Sequence, residues 1–158
     1  MTSISDLTGA LSPDGSVLAT TDPAHNLRLL DVQTLKWISP DPGVDSGENL
    51  TYAPDGSQFA SVQSGQISLW DGHTGEYRAS LPLPAALASD VSIAYLPNCS
   101  GLLIAAKDGR TWTADTRTGT WIERACNIAG RNLTAHEWTQ FFPNRPYHAT
   151  CPQWPAAG

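Results

Sequence analysis

Ser12-Pro13-Asp14-Gly15 returns as Ala53-Pro54-Asp55-Gly56 and, loosened, as Leu96-Pro97-Asn98-Cys99. The three prolines stand 41 and then 43 residues apart. A second landmark keeps the same beat. Leu30-Asp31, Trp70-Asp71 and Ala114-Asp115 are separated by 40 and 44 residues, and each aspartate is followed three positions later by Thr34, Thr74 or Thr118. Two independent markers with one period define an internal repeat.

Working outward from each Pro-Asp-Gly turn, a short apolar run precedes it (7–11, 49–53, 91–96) and a second follows (17–21, 58–62, 102–106). A third run, 27–31, 67–71 and 111–115, alternates so that Leu27, Leu29 and Asp31, or Ile67, Leu69 and Asp71, share one face of a strand. Proline sets its own φ and glycine tolerates positive φ, so the quoted tetrapeptides suit tight turns between antiparallel strands. A fourth strand has a proline-broken candidate at 36–39 and a good one at 76–81. The third repeat has none.

Ile67-Ser68-Leu69-Trp70-Asp71-Gly72-His73-Thr74-Gly75 resembles the third strand and following turn of the WD40 repeat, whose four-stranded blades recur at about 40 to 45 residues. The likeness covers roughly residues 7–119, about three-quarters of the chain. It departs from the family in lacking the Gly-His dipeptide before the first strand and in keeping Trp-Asp only once. The family's Asp-His-Ser/Thr-Trp hydrogen-bond network is therefore expected to be incomplete. The fold expected is all-β: a partial, three-blade WD40-like β-propeller with a short C-terminal helical hairpin cap. Its blades would span about 1–46, 47–88 and 89–120, and the tail 121–158. Propellers carry roughly 4 to 8 blades, so three imply a partner chain or further blades, and the chain reads as the C-terminal part of a larger propeller or as a remnant that pairs with others.

From Trp121 the pattern changes. Trp121, Ala125 and Ile128 fall at helical spacing before Gly130. Thr134 with Glu137 forms a capping-box pair, and Leu133 with Trp138 a hydrophobic staple. Trp138, Phe141 and Phe142 then make one apolar face, which Pro143 ends. The predicted hairpin is too small to fold alone and is expected to cover an end blade. Ala125-Cys126, Arg131-Asn132-Leu133-Thr134, Glu137-Trp138 and Thr150-Cys151-Pro152 resemble the ending found after WD40 repeats in bacterial STAND-type signalling NTPases and WD40-fused kinases. In that family the catalytic module lies upstream and the propeller serves as sensor.

Composition agrees with many short strands. Among 158 residues, 13 are glycine, 12 proline and only 15% charged. Fifteen acidic against nine basic residues give a net charge of -6 and no basic stripe, so neither nucleic acid nor an anionic membrane is an expected partner. No run approaches the roughly 20 apolar residues of a membrane helix. Met1-Thr2-Ser3-Ile4-Ser5-Asp6 has neither part of a secretory signal, which points to the cytoplasm. No phosphate-binding glycine loop, kinase loop or dinucleotide fingerprint occurs, and no cofactor is expected.

The repeating aspartates, Asp14, Asp31, Asp55, Asp71 and Asp115, together with Trp70, read as structural landmarks at turns and strand ends rather than as catalytic carboxylates. The three Asn-x-Ser/Thr sequons, at Asn49, Asn98 and Asn132, are set aside as chance matches. Of the tryptophans, most are expected in the core, with Trp154 exposed. The tail holds the alternative. Cys126 and Cys151, with His136 and His148, could ligate zinc or form a thiol-nucleophile enzyme, whereas the structural reading is a buried thiol pair or a disulfide. For binding, the resemblance implies loops at one end of the blades: 22–26, 63–66, 107–110, 40–48 and 82–90. His25, Lys107, Asp108 and Arg110 are the candidate contacts. The function expected is thus a non-enzymatic module for protein partners or self-association.

Overall fold

The computed structural model describes residues 9–21, 26–38, 48–63, 65–83 and 91–156. They form three antiparallel sheets and two short helices. The first sheet contains β1 (Gly9–Leu11), β2 (Val17–Thr21), β3 (Leu27–Asp31) and β4 (Lys36–Trp37), hydrogen-bonded in that order. The second repeats it with β5 (Glu48–Tyr52), β6 (Gln58–Gln63), β7 (Gln66–Asp71) and β8 (Tyr77–Pro82). The third has β9 (Val91–Tyr95), β10 (Gly101–Ala106) and β11 (Thr111–Asp115), with no fourth strand among the described residues. These are the three blades of a partial propeller, and each expected strand is present within a few residues of its reading.

The turns explain why the repeat is visible. In each of the three, the first residue's N–H donates to the carbonyl at the start of the next strand or just before it: Ser12 to Val17, Ala53 to Gln58 and Leu96 to Gly101. Each turn closes with a second bond, from Gly15 to Ser12, Gly56 to Ala53 and Cys99 to Leu96. Gly15 and Gly56 sit at φ 74° and 71°, a region open to glycine, and Cys99 adopts φ 54° in the same place.

Blades meet through their first strands, β1 against β5 and β5 against β9. Between the first two blades, Val17, Ala19, Leu27 and Leu29 pack with Tyr52, Phe59 and Trp70 in one buried cluster. Phe59 and Trp70 stack at 6.2 Å. Between the second and third, Asn49 Nδ2 donates to Val91 O at 2.9 Å and Gln58 Nε2 to Thr116 Oγ1 at 3.3 Å. The Trp-Ser limb of the expected network is present: Trp70 Nε1 donates to Ser61 Oγ at 3.0 Å, both residues being buried.

Residues up to Thr116 form one compact unit and residues from Arg117 a second. In the second, α1 spans Thr118–Ala129 and α2 Ala135–Phe141. The first helix starts three residues before Trp121, because Arg117 at φ -81° and ψ 115° is its N-cap, although no side chain caps it. Gly130, at φ 66°, ends it as expected. The expected apolar face of α1 is not buried: Ala125 is exposed and Ile128 is 88% exposed, while Cys126 points inward. The second helix keeps its capping box, Thr134 with Glu137. Its buried residue is Trp138, contacted by Phe142, Tyr147 and His148, whereas Phe141 faces outward. No helix among the described residues is long and apolar enough to cross a membrane.

Candidate functional site

Two successive Pro-Asp-Gly turns and the turn after β7 enclose a cleft of about 330 Å³, lined among others by Pro13, Asp14, Ser16, Asp55, Gly56 and His73. It lies at the β1–β2 and β5–β6 turns of the first two blades, where Gly72 and His73 of the turn after β7 join them. Tight packing of the turns makes its floor. Gly72 N donates to Ser57 O at 3.1 Å, and a Cβ at Gly72 would collide with the Gly56 carbonyl oxygen. Tyr52 Oη donates to Gly72 O at 3.1 Å, and burial pushes its phenol pKa up.

The carboxylates around this cleft are held by their own turns. Asp14 Oδ1 accepts from Ser12 Oγ at 2.6 Å and from Ser16 N at 3.1 Å, which lowers its pKa to about 2. Asp55 Oδ1 accepts from Ser57 N at 3.0 Å and Ser57 Oγ at 2.8 Å, and these bonds likewise hold it below the usual carboxylate range. In the third repeat Asn98 Oδ1 accepts from Ser100 N and Oγ, so the amide substitutes for the carboxylate without changing the turn. Carboxylates this acidic stay ionised near neutral pH and are poor proton donors or bases there. Chemically, the cleft can accept hydrogen bonds and attract cationic groups.

The other landmarks act in the same way. Asp31 Oδ1 accepts from Thr34 N at 2.7 Å, and Asp71 Oδ1 from His73 N at 2.9 Å and Thr74 N at 2.8 Å. Burial works to raise the Asp71 pKa, but the Thr74 and His73 amides and the Arg78 guanidinium, 2.6 Å from Oδ2, outweigh it and leave the group well below its ordinary value. Asp115 ends β11 at the corresponding place, but the chain then enters α1 instead of a turn.

Of the residues proposed for binding, His25 lies outside the described residues, as do most of the loops at 22–26, 40–48 and 82–90. Lys107, Asp108 and Arg110 occupy the β10–β11 turn. There Asp108 Oδ1 accepts from Arg110 N at 3.0 Å, Asp108 Oδ2 accepts from Arg110 Nε at 2.7 Å, and the guanidinium lies 5.4 Å from the Trp112 ring. This turn does not contribute to the cleft. Sequence reading overlooked the cleft because its walls come from turns 41 residues apart, read one at a time as spacers. His73, beside the recognised Trp-Asp, was the available signal.

In the second unit Cys126 and Cys151 are joined by a disulfide, with Cα atoms 5.4 Å apart. Neither sulfur is therefore a thiolate, which zinc ligation and nucleophilic attack both require. His148 packs against Trp138 at 4.5 Å, and His136 is exposed. Among the described residues no group of three histidine, cysteine or acidic side chains is placed to hold a metal. Asn132, buried to 1% exposure, was missed as anything but part of a sequon. Its Nδ2 donates to the carbonyls of Cys151, Trp154 and Pro155, its Oδ1 accepts from Cys151 N, and it thereby clamps the tail beside the disulfide. Trp154 Nε1 donates to Cys126 O at 3.1 Å.

No protein-family model matches the chain, and no curated protein is significantly similar to it. Among solved structures 355 chains match. One, described as dihydro-heme d1 dehydrogenase NirN in complex with DHE, aligns with a TM-score of 0.53 and 19% sequence identity, over 71% of this chain and 26% of its own. The chain thus spans about a quarter of that neighbour's length. The neighbour has a β-propeller-like fold, and at this identity the likeness is one of architecture: the chain is similar in fold to part of a propeller.

Proposed function

We propose that the chain is a non-catalytic interaction or sensor module, a portion of a WD40-like propeller that presents its blade turns to a protein partner and completes its ring through another chain. The observation that carries this is the pair of rigid Pro-Asp-Gly turns around a shared cleft. Each carboxylate is tied into its own turn and kept ionised, an arrangement suited to recognition and poorly suited to proton transfer. The resemblance of the tail to WD40-bearing bacterial signalling proteins supports a place in such a protein and in the cytoplasm, with any catalytic part outside this chain.

Two recognition surfaces follow from this reading: the cleft, reported by His73, and the loops favoured from sequence, reported by Lys107 and Arg110. Affinity capture from cell extract should be compared for wild type, His73→Glu and the double variant Lys107→Glu, Arg110→Glu. All three sites are exposed, so circular dichroism should stay unchanged. Loss of the same captured protein in one variant assigns the surface. An identical captured set in all three would sink the reading.

A further inference from the structure

The strand registers show how one blade seats on the next. In the second blade Tyr52, Phe59, Trp70 and Tyr77 pair across four strands to form one row. The first three are buried against Val17, Ala19, Leu27 and Leu29 of the first blade. The third blade repeats the row as Tyr95, Leu102 and Ala114, with Leu102 fully buried. The first blade has it too: Leu11, Leu18, Leu30 and Trp37 are cross-strand partners in the same register. Here Leu11 is 55% and Trp37 44% exposed. Beside this row Arg28 lies 4.3 Å over the Trp37 ring, and its Nε is buried without a hydrogen-bond partner among the described residues.

The opposite end of the blade series has the matching surface. Register places Ala94, Leu103, Thr111 and Thr113 of the third blade where Ala10, Ala19, Leu27 and Leu29 stand in the first. Three of those first-blade residues are buried under the second blade's row and Ala10 packs at its margin, whereas all four third-blade residues are exposed. This patch bears no charge, and its side chains, apart from Leu103, are small. An uncharged sheet face is unusual for a surface left to water, and large side chains opposite small ones are what an interdigitating interface needs.

We infer that the Leu11–Leu18–Leu30–Trp37 row of one copy seats on the Ala94–Leu103–Thr113 face of a second copy, and reciprocally, so that two copies close a six-blade ring. The inference rests on the reading that the propeller is completed by another chain, and it commits to which one. The two faces belong to one sequence, and they continue an interface the chain already makes twice with itself. Two copies bring the blades formed by the described residues to six, inside the roughly 4 to 8 of propellers, whereas one copy gives three and three copies would give nine. Such a contact is head-to-tail, and it terminates only because the ring closes.

The test is the mass of the full chain in solution, by light scattering and sedimentation at micromolar concentration, for wild type, Leu11→Glu and Leu103→Glu. Wild type should have twice the mass of one chain. Each variant should dissociate at least about 100-fold more readily with unchanged circular dichroism, because each charge falls at both interfaces of the ring. Should Leu11→Glu fold poorly, Trp37→Glu probes the same row. A monomeric wild type, a dimer that survives both variants, a dimer lost in only one of them, or an open-ended oligomer would each overturn the proposal. Partner capture is read separately: a dimer that captures nothing refutes the interaction reading alone, and a monomer that captures a partner refutes the ring alone.

Discussion

At the scale of single residues, the turns explain both the repeat and its exceptions. Leu35 stands where Gly75 stands in the next blade, accepting φ 54° against 72°, with its N–H bonded to Asp31 O as Gly75 N is to Asp71 O. Left-handed backbone costs a residue with a Cβ about 1 kcal/mol, and the Leu35 side chain is 73% exposed, so Leu35→Gly should stabilise the first blade by about 1 kcal/mol in urea unfolding. Gly72→Ala should act in the opposite sense. Its methyl meets backbone, which cannot step aside, and a loss of about 2 kcal/mol or more is expected in the same assay. The held carboxylates set the acid limit. Asp14, lowered by Ser12 and Ser16, and Glu137, lowered by Arg131 and Thr134, both fall to about 2 from ordinary values of 3.8 and 4.5. A depressed folded value contributes stability that is complete above the unfolded value and fades as pH falls through the folded one. Stability attributable to these groups should therefore be level above about pH 4.5 and decline toward pH 2, and high salt should weaken the Glu137 share, because its ion pair with Arg131 is partly exposed. Asp14→Asn should flatten its share of that decline. The aspartates' structural role was readable from their period, since a residue that recurs with a turn belongs to the turn. Asn132 was not readable, because its four partners are contributed by a segment about 20 residues away.

At the scale of elements, the strands follow from local rules and the helices only in part. The period-2 pattern of β3 and the capping box of α2 are local signals, and each appears where expected, whereas β7, in the middle blade, is buried on both faces from Ile67 to Trp70. Helix α1 is different: Trp121, Ala125 and Ile128 have helical spacing, yet the residue buried is Cys126. A covalent bond between α1 and the tail decides which side turns inward. Few large side chains are buried in this 42-residue unit, so the disulfide should supply much of its stability. Closing a segment of 25 residues is worth about 3 kcal/mol in the chain-entropy view. Reductant should lower the midpoint of a transition reported by Trp138, and alkylation under native conditions without reductant should label Cys99 while sparing Cys126 and Cys151. Three labelled cysteines would refute the pairing. Such bonds persist in oxidising surroundings, so the same alkylation on protein from its native cell tests the proposed cytoplasmic location.

At the scale of the whole molecule, three blades and a disulfide-closed helical unit leave blade surfaces of a kind that the chain buries elsewhere. If a second copy covers them, thermal stability must depend on protein concentration, since association stabilises by mass action. The midpoint for the sheets should rise over a hundredfold increase in concentration for wild type and stay constant for Leu103→Glu. A midpoint independent of concentration in wild type would count against the ring. The blade count, strand boundaries and turn chemistry were all present in the linear chain, because each depends on neighbours a few residues apart and on a period that repetition makes visible. The register was not. It alone brings Leu11, Leu18, Leu30 and Trp37 into one row and aligns that row with Tyr52, Phe59, Trp70 and Tyr77, and among the described residues nothing buries Leu11 and Trp37 as the first blade buries Tyr52, Phe59 and Trp70. The interblade cleft and the Cys126–Cys151 bond are likewise tertiary. They join groups 25 to 60 residues apart, and no local preference specifies which distant segments meet.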